Sequence, residues 1–297
     1  MNPLNRSARD PVRGAQGRRD PRVQLDLRPG QSIELLKALH ILTREGRINQ
    51  DSRRKLKQVN HLFQFIEKQL QALPDAEAGP TLADHGAGKS YLGFIVYDLY
   101  FKALGKGSLY GIETRKALVD QSAALAQQLG FDRMRFLNVS AAEAGTHPDL
   151  PARVDMVTAL HACDTATDDA IDFGLVKQAQ CMVLVPCCQA ELASALRQHK
   201  ALDLARTPLA ELWRHPLHTR EMGSQLTNVL RCLYLEAMGY RVTVTELVGW
   251  EHSLKNELIL AEYTGQKKHQ ARQRLDALLD TFGLQDLRAL RFARLPA

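Results

Sequence analysis

The residues best placed to do chemistry form one short run, Thr81-Leu82-Ala83-Asp84-His85-Gly86-Ala87-Gly88-Lys89-Ser90, which leads into the apolar stretch Tyr91-Leu92-Gly93-Phe94-Ile95-Val96. A strand that breaks into a glycine turn and then a helix presents backbone amides to a nucleotide-like ligand. Three ligand chemistries compete for it. Gly88-Lys89-Ser90 reads as the end of a relaxed phosphate-binding loop, with lysine on phosphates and serine on magnesium. Such a loop needs a metal-binding acid at the end of another buried strand, yet Leu184-Val185 runs into Pro186-Cys187-Cys188, and Asp84 places negative charge where phosphate would approach. A dinucleotide would want a third glycine where Tyr91 stands. S-adenosylmethionine carries no phosphate: its sulfonium and ammonium suit Asp84, and Gly86 and Gly88 allow close backbone approach. Glu113, at the end of the next strand, can take both ribose hydroxyls in a charge-assisted, bidentate way. A structural glycine turn beside an unrelated acid is the bland alternative. Lys89 is either a contact to substrate phosphate or a solvated helix-start lysine.

The elements that must hold these residues alternate along the chain. Ile33, Leu35, Leu36, Leu39 and Leu42 predict a first helix, and Val59, Leu62, Phe63, Ile66 and Leu70 a second; Pro74–Pro80 reads as a linker. Strands are predicted at Leu109–Glu113, Arg135–Val139, Val154–Leu160 and Cys181–Val185, with a helix over Arg115–Leu129. A long helix follows over Gln225–Met238, then two strands at Arg241–Leu247 and Glu257–Tyr263. This alternation predicts a doubly wound, mostly parallel α/β sheet whose last two strands form an antiparallel pair. The divisions expected are a disordered basic tail (1–30), a helical attachment (31–77), a ligand-binding domain (78–265) and a basic helical appendage (266–297). Trp213, Arg214, His215, His218 and Arg220 fall between the fifth strand and the long helix, where a substrate lid could form.

Charge is uneven. Residues 1–30, 31–57 and 266–297 each hold seven basic and three acidic residues, a net +4 apiece, while 58–265 carry a net −6 within a chain of net +6. Basic arms on a mildly acidic core favour a polyanion such as nucleic acid. Within 31–57, Arg53-Arg54-Lys55-Leu56-Lys57 is a candidate backbone-contacting patch, with Arg54 and Lys57 as substrate-binding residues. No apolar run approaches the roughly 18 residues of a membrane span, and the N-terminus lacks a secretory apolar core. Five cysteines without framework spacing fit a reducing compartment, so the expectation is a cytoplasmic chain with no membrane partner.

Taken together, Asp84-x-Gly86-x-Gly88-Lys89-x-Tyr91-Leu92, Gly111-Ile112-Glu113, Leu160-His161-Ala162-Cys163-Asp164-Thr165-Ala166-Thr167-Asp168, Val185-Pro186-Cys187-Cys188 and Glu251-His252-Ser253-x-Lys255-Asn256 resemble the ordered motifs of a class I methyltransferase family. That family includes bacterial proteins and the methyltransferase region of eukaryotic proteins with a glutathione-transferase-like attachment. A more distant likeness links the His-Ala-Cys and Cys-Cys motifs to an acceptor-stem tRNA 2′-O-methyltransferase. The resemblance covers about residues 53–263. It implies a Rossmann-like class I methyltransferase fold with a mostly parallel seven-stranded sheet, and S-adenosylmethionine as cofactor. Asp164 stands where the family usually has glycine, and Gln189 where tyrosine or histidine is common.

In that sheet order the fourth and fifth strands are neighbours, which brings His161-Ala162-Cys163-Asp164 beside Pro186-Cys187-Cys188-Gln189. Four readings stand open. His161 and its loop line the donor pocket, with His161 or Asp164 as proton acceptor. Alternatively Cys187 acts as a thiolate nucleophile, or His161, Cys163, Cys187 and Cys188 hold a metal, or small cysteines simply pack at a strand end. His161, Asp164, Cys187 and Cys188 are the expected catalytic residues, with no metal. Asp84, Gly86, Gly88, Glu113, Ser140 and His161 are assigned to the cofactor, and Lys89, Arg54, Lys57, Gln189, Lys255 and Asn256 to substrate. The expected activity is methyl transfer to tRNA or rRNA; a small-molecule or protein acceptor and a catalytically silent donor-binding module are the alternatives.

Overall fold

The computed structural model describes residues 27–160, 162–187, 189–199, 208–247 and 257–295. Seven strands form one sheet: β1 (Thr81–His85), β2 (Ser108–Ile112), β3 (Met134–Leu137), β4 (Met156–Leu160), β5 (Cys181–Val185), β6 (Tyr240–Glu246) and β7 (Glu257–Tyr263). Their order is β3-β2-β1-β4-β5-β7-β6. β1 to β5 run parallel, whereas β7 is antiparallel to both β5 and β6. This is the Rossmann-like fold of class I methyltransferases. β4 and β5 read Met-Val-Thr-Ala-Leu and Cys-Met-Val-Leu-Val because helices cover both their faces, so neither face needs polar residues. β6, at the edge, exposes Arg241, Thr243, Val244 and Glu246, so both of its faces meet solvent. The chain leaves β3 and crosses to β4 on the far side of β1, so a crevice opens between the carboxyl ends of β1 and β4.

In chain order the helices are α1 (Ile33–Ala38), α2 (Gln50–Ala72), α3 (Tyr91–Val96), α4 (Lys102–Leu104), α5 (Lys116–Gln128), α6 (Ala141–Ala144), α7 (Ala166–Val176), α8 (Glu191–His199), α9 (Pro216–Ala237), α10 (His269–Thr281) and α11 (Asp286–Arg291). A π-helical turn at Tyr97–Phe101 joins α3 to α4. One apolar core joins Leu35 and Leu36 of α1 and Leu62, Phe63 and Ile66 of α2 to Leu82, Leu109 and Met156 of the sheet. The opposite core joins Val157, Met182 and Ile259 to α7, to α9, and to Leu275, Leu279 and Phe292 near the C-terminus. The segments on either side of the sheet domain in the sequence therefore supply apolar cover for its two faces.

Two local differences from the sequence expectation have clear causes. α9 begins at Pro216, nine residues before the predicted start. Proline at the first helical position suits a helix start, but the polar turn His218-Thr219-Arg220-Glu221 carries no apolar periodicity. His215 and His218 consequently flank a helix start, rings edge to face at 5.3 Å, rather than a lid. In the appendage, five of the seven cations are spent on internal ion pairs: Lys268 with Glu236, Arg272 and Arg288 with Asp276, Arg291 with Glu191 and Arg294 with Asp172. Among the described residues no helix is long and apolar enough to cross a membrane.

Candidate functional site

Alternation along β1 sends Asp84 toward the α3 side and His85 toward the α7 side. The Asp84 carboxylate is 2% exposed and accepts a hydrogen bond from the Thr158 hydroxyl of β4 at 2.8 Å. Burial pushes its carboxyl up to about 7, against the pull of that hydroxyl. His85 is 5% exposed, lies 5.8 Å from the Phe173 ring, and neither of its ring nitrogens has a hydrogen-bond partner. Burial lowers it to about 4, opposed by the charge of Glu113. Beyond His85 the loop turns through positive φ at Gly86 (65°) and Gly88 (58°), conformations glycine adopts without Cβ strain. Lys89 is exposed, whereas Ser90 is wholly buried.

Glu113 follows β2 and faces this loop. Its carboxylate takes the Gly88 amide at 2.8 Å, the Arg115 amide at 3.0 Å, and both arms of the Arg115 guanidinium at 3.0 Å. Burial pushes the acid up, but the Arg115 fork and the two amides outweigh it and bring it down to about 2. Glu113 is therefore charged at any working pH and already saturated with donors. Arg115 carries no motif signature; the Glu113-Thr114-Arg115 spacing was its only trace in the sequence.

At the ends of β4 and β5 the geometry is equally specific. Cys163 and Cys187 bring their Sγ atoms to 3.2 Å. Asp164 holds φ at 50°, and its Oδ1 accepts the Ala190 and Glu191 amides at 2.9 and 3.1 Å, which caps α8. The buried Gln189 donates to Asn228 at 3.2 Å and accepts from Ser224. Beneath this turn Arg231, 1% exposed, forks onto Asp168 at 2.8 and 2.6 Å and donates to the Asp164 carbonyl at 2.8 Å and to Asn228 at 3.1 Å. Asp164 and Gln189 thus belong to one polar network built around the buried Arg231, which sequence reading missed because its members lie up to 67 residues apart.

The remaining candidates scatter. Ser140 caps α6, reciprocating with Glu143. Arg54 pairs with Asp51 at 3.7 Å and Lys57 is exposed. Lys89 lines a cavity of about 360 Å³ with His40, Tyr91 and Gln121. His161, Cys188, Lys255 and Asn256 lie outside the described residues. Among the described residues no group of three or more potential ligands is placed to hold a metal.

Asp84 and His85 pull stability in opposite senses. Between 3.8 and about 7 the folded chain keeps an Asp84 proton that the unfolded chain has lost, so this contribution falls as pH rises. Between about 4 and 6.5 the unfolded chain holds the extra proton on His85, so that contribution grows as pH rises. Glu113 matters only below 4.5. His85→Leu removes the rising limb alone: urea unfolding should show a variant whose stability declines from pH 4 to 7, its difference from wild type changing steadily up to pH 6.5. A constant difference over that range would refute the assignment.

A family profile described as a methyltransferase domain matches residues 54–195, from the first turns of α2 into α8. No curated protein matches the chain significantly. Among solved structures, the chain is similar to magnesium protoporphyrin IX methyltransferase from Synechocystis with bound S-adenosylhomocysteine, at 13% identity, 82% of this chain, 100% of that one and a TM-score of 0.45. It is also similar to the fibrillarin pre-rRNA processing protein of Methanococcus jannaschii, at 12% identity, 64% and 68% coverage and a TM-score of 0.41. TrmK of M. capricolum, in complex with S-adenosylhomocysteine, aligns at 9% identity over 69% of this chain and 70% of that one, with a TM-score of 0.39.

Proposed function

We propose that the chain is an S-adenosylmethionine-dependent methyltransferase acting on structured RNA. The observation that carries the donor half is Glu113: a permanently charged carboxylate at the end of β2, 2.8 Å from the amide of a left-handed glycine turn. Once the exposed Arg115 fork gives way, that carboxylate can accept both hydroxyls of a ribose diol. A phosphate reading is disfavoured, because Ser90 is wholly buried and does not face an incoming magnesium ion. Two unpartnered nitrogens on His85, at the base of the same loop, are a further polar group that a bound ligand or water would satisfy. When bound, the donor supplies an electrophilic methyl group. The chain's part is then positioning: the glycine turn and Glu113 hold the adenosine end, and the capped Asp164 turn closes the far side.

The acceptor half rests on charge. Gln69 donates to Glu262, which is in register with Cys181 at the start of β5, so the later turns of α2 lie at the amino end of the parallel strands. At about 1.5 Å per residue, Lys57 lies roughly 18 Å back along the helix, beyond the roughly 16 Å that five strand residues span. Arg53, Lys55 and Lys57, in the early turns of α2, are exposed and without an ion pair among the described residues, and on this reading they extend the RNA-binding surface beyond the glycine loop. Tritiated methyl transfer to RNA, protein and metabolite fractions of a deletion strain tests the whole reading; label in protein or metabolites alone would reassign the acceptor. Charge reversal of Arg53 and Lys57 should weaken RNA binding at least tenfold at low salt and flatten the log-affinity against log-salt slope by about 0.7 per lost contact. An unchanged slope would remove these residues from the interface.

A further inference from the structure

The thiols of Cys163 and Cys187, 3.2 Å apart, are absorbed by neither the donor site nor the RNA surface. β4 and β5 pair through Leu160↔Val185, and Cys163 and Cys187 follow these strand ends by three and two residues. Each turn is fixed. The buried Arg231 holds the Asp164 carbonyl, and the Asp164 carboxylate holds the Ala190 and Glu191 amides three and four residues after Cys187. The Asp164 carboxylate thus links the residue after Cys163 to the Ala190 and Glu191 amides, and the two sulfurs lie 3.2 Å apart, which gives the pair a high effective concentration. Cys163 is exposed and Cys187 half-buried, so an oxidant can reach them from solvent. Cys181 and Cys232 differ: burial pushes both thiols up to about 12 and keeps them protonated.

We propose that Cys163 and Cys187 are a reversible oxidation site for hydrogen peroxide, closing to a disulfide that ties the ends of β4 and β5 together at the mouth of the ligand edge. The exposed Cys163 thiolate attacks the peroxide: its S–O bond forms, the O–O bond breaks and one water leaves. Cys187 then attacks that sulfur, so the S–S bond forms, the S–O bond breaks and a second water leaves. Two thiols lose two electrons and two protons, and the peroxide is reduced to two waters. The bridge closes the 162–164 turn onto Pro186-Cys187, next to the crevice assigned to the donor; that functional consequence rests on the methyl-donor reading, while the bridge itself does not.

The test uses the full chain and hydrogen peroxide. Titration of thiols after denaturation should show a loss of two per chain, reversed by dithiothreitol. A non-reducing tryptic digest should link peptide 154–177 to peptide 178–197, with fragmentation placing the bond at Cys187. Cys163→Ser and Cys187→Ser should abolish the link and Cys188→Ser should keep it. Linkage through Cys188, bonds between chains, or oxidation to sulfinic acid without a bridge would each overturn the proposal. Calorimetry with S-adenosylhomocysteine should show at least fivefold weaker binding after oxidation. Equal affinity of the two forms would overturn the closure at the mouth. A bridge that forms in a protein whose reduced state binds no S-adenosylhomocysteine upholds the oxidation site and overturns the donor reading.

Discussion

Arg231→Ala should lower the unfolding free energy by about 3–5 kcal/mol, the cost of removing one partner from a buried ion pair. The guanidinium is 1% exposed and its fork meets an Asp168 side chain that is 11% exposed, so the variant leaves a carboxylate with neither a counter-ion nor water to replace it. The damage spreads further, because the same guanidinium satisfies the Asp164 carbonyl and the Asn228 amide oxygen. Asp168 also raises the carboxyls of Asp169 and Asp172, with burial as the leading cause in both. Without Arg231 that acidic run at the start of α7 keeps Arg291 and Arg294 as its cations among the described residues. Replacing Arg231 and Asp168 together with Met and Leu should recover part of the loss: an apolar pair removes the orphaned charge but leaves the Asp164 carbonyl without its donor. Urea unfolding of wild type, the single and the double variant measures this. A single-variant loss under about 1 kcal/mol would mean that the network is solvated.

That network explains which parts of the site were legible in the sequence. The sheet was readable because β4 and β5 are apolar runs of strand length bounded by turns, and because the switch from apolar runs to helical periodicity repeats along the chain. The glycine turn and Glu113 were readable because local backbone geometry demands specific residues at fixed offsets. The 162–168 turn was readable only as a motif. What Asp164 does there depends on Ala190, Glu191 and Arg231, and no local pattern announces a contact across 67 positions. Charge misled in the same way. The C-terminal cations looked like an arm for a polyanion, yet most pair with carboxylates of α7 to α10. In the equally basic stretch 53–57, Arg54 pairs with Asp51, and Arg53, Lys55 and Lys57 are exposed with no ion pair among the described residues. Net charge in a segment is therefore weak evidence of a partner until the ion pairs within the fold are set against it.

Glu113→Ala should weaken S-adenosylhomocysteine binding at least 100-fold, whereas Arg115→Ala should strengthen it about fivefold. Hydrogen bonds to a charged acceptor contribute roughly 1.5–3 kcal/mol each, and a ribose diol makes two, so losing both exceeds the roughly 2.8 kcal/mol that two decades require. The alanine also frees the Gly88 amide, which Glu113 holds at 2.8 Å, and so loosens the turn that must meet the ligand. Arg115 has the opposite sign for a geometric reason. A carboxylate offers about four acceptor positions, and Gly88, the Arg115 amide, the two arms of the Arg115 fork and, at 3.3 Å, the Thr114 hydroxyl crowd them. The diol must displace donors to bind, and the fork is the set that can leave, since the Arg115 side chain is 67% exposed. A half-exposed ion pair is worth about 1 kcal/mol at most, which limits the gain to a factor of about five. Glu113→Gln, which keeps the shape and loses the charge, should fall between wild type and alanine. Calorimetry on the three variants separates the roles. Affinity of Glu113→Ala within threefold of wild type would sink the ribose assignment, and a loss of affinity in Arg115→Ala would make the guanidinium a ligand contact rather than a competitor for the acid.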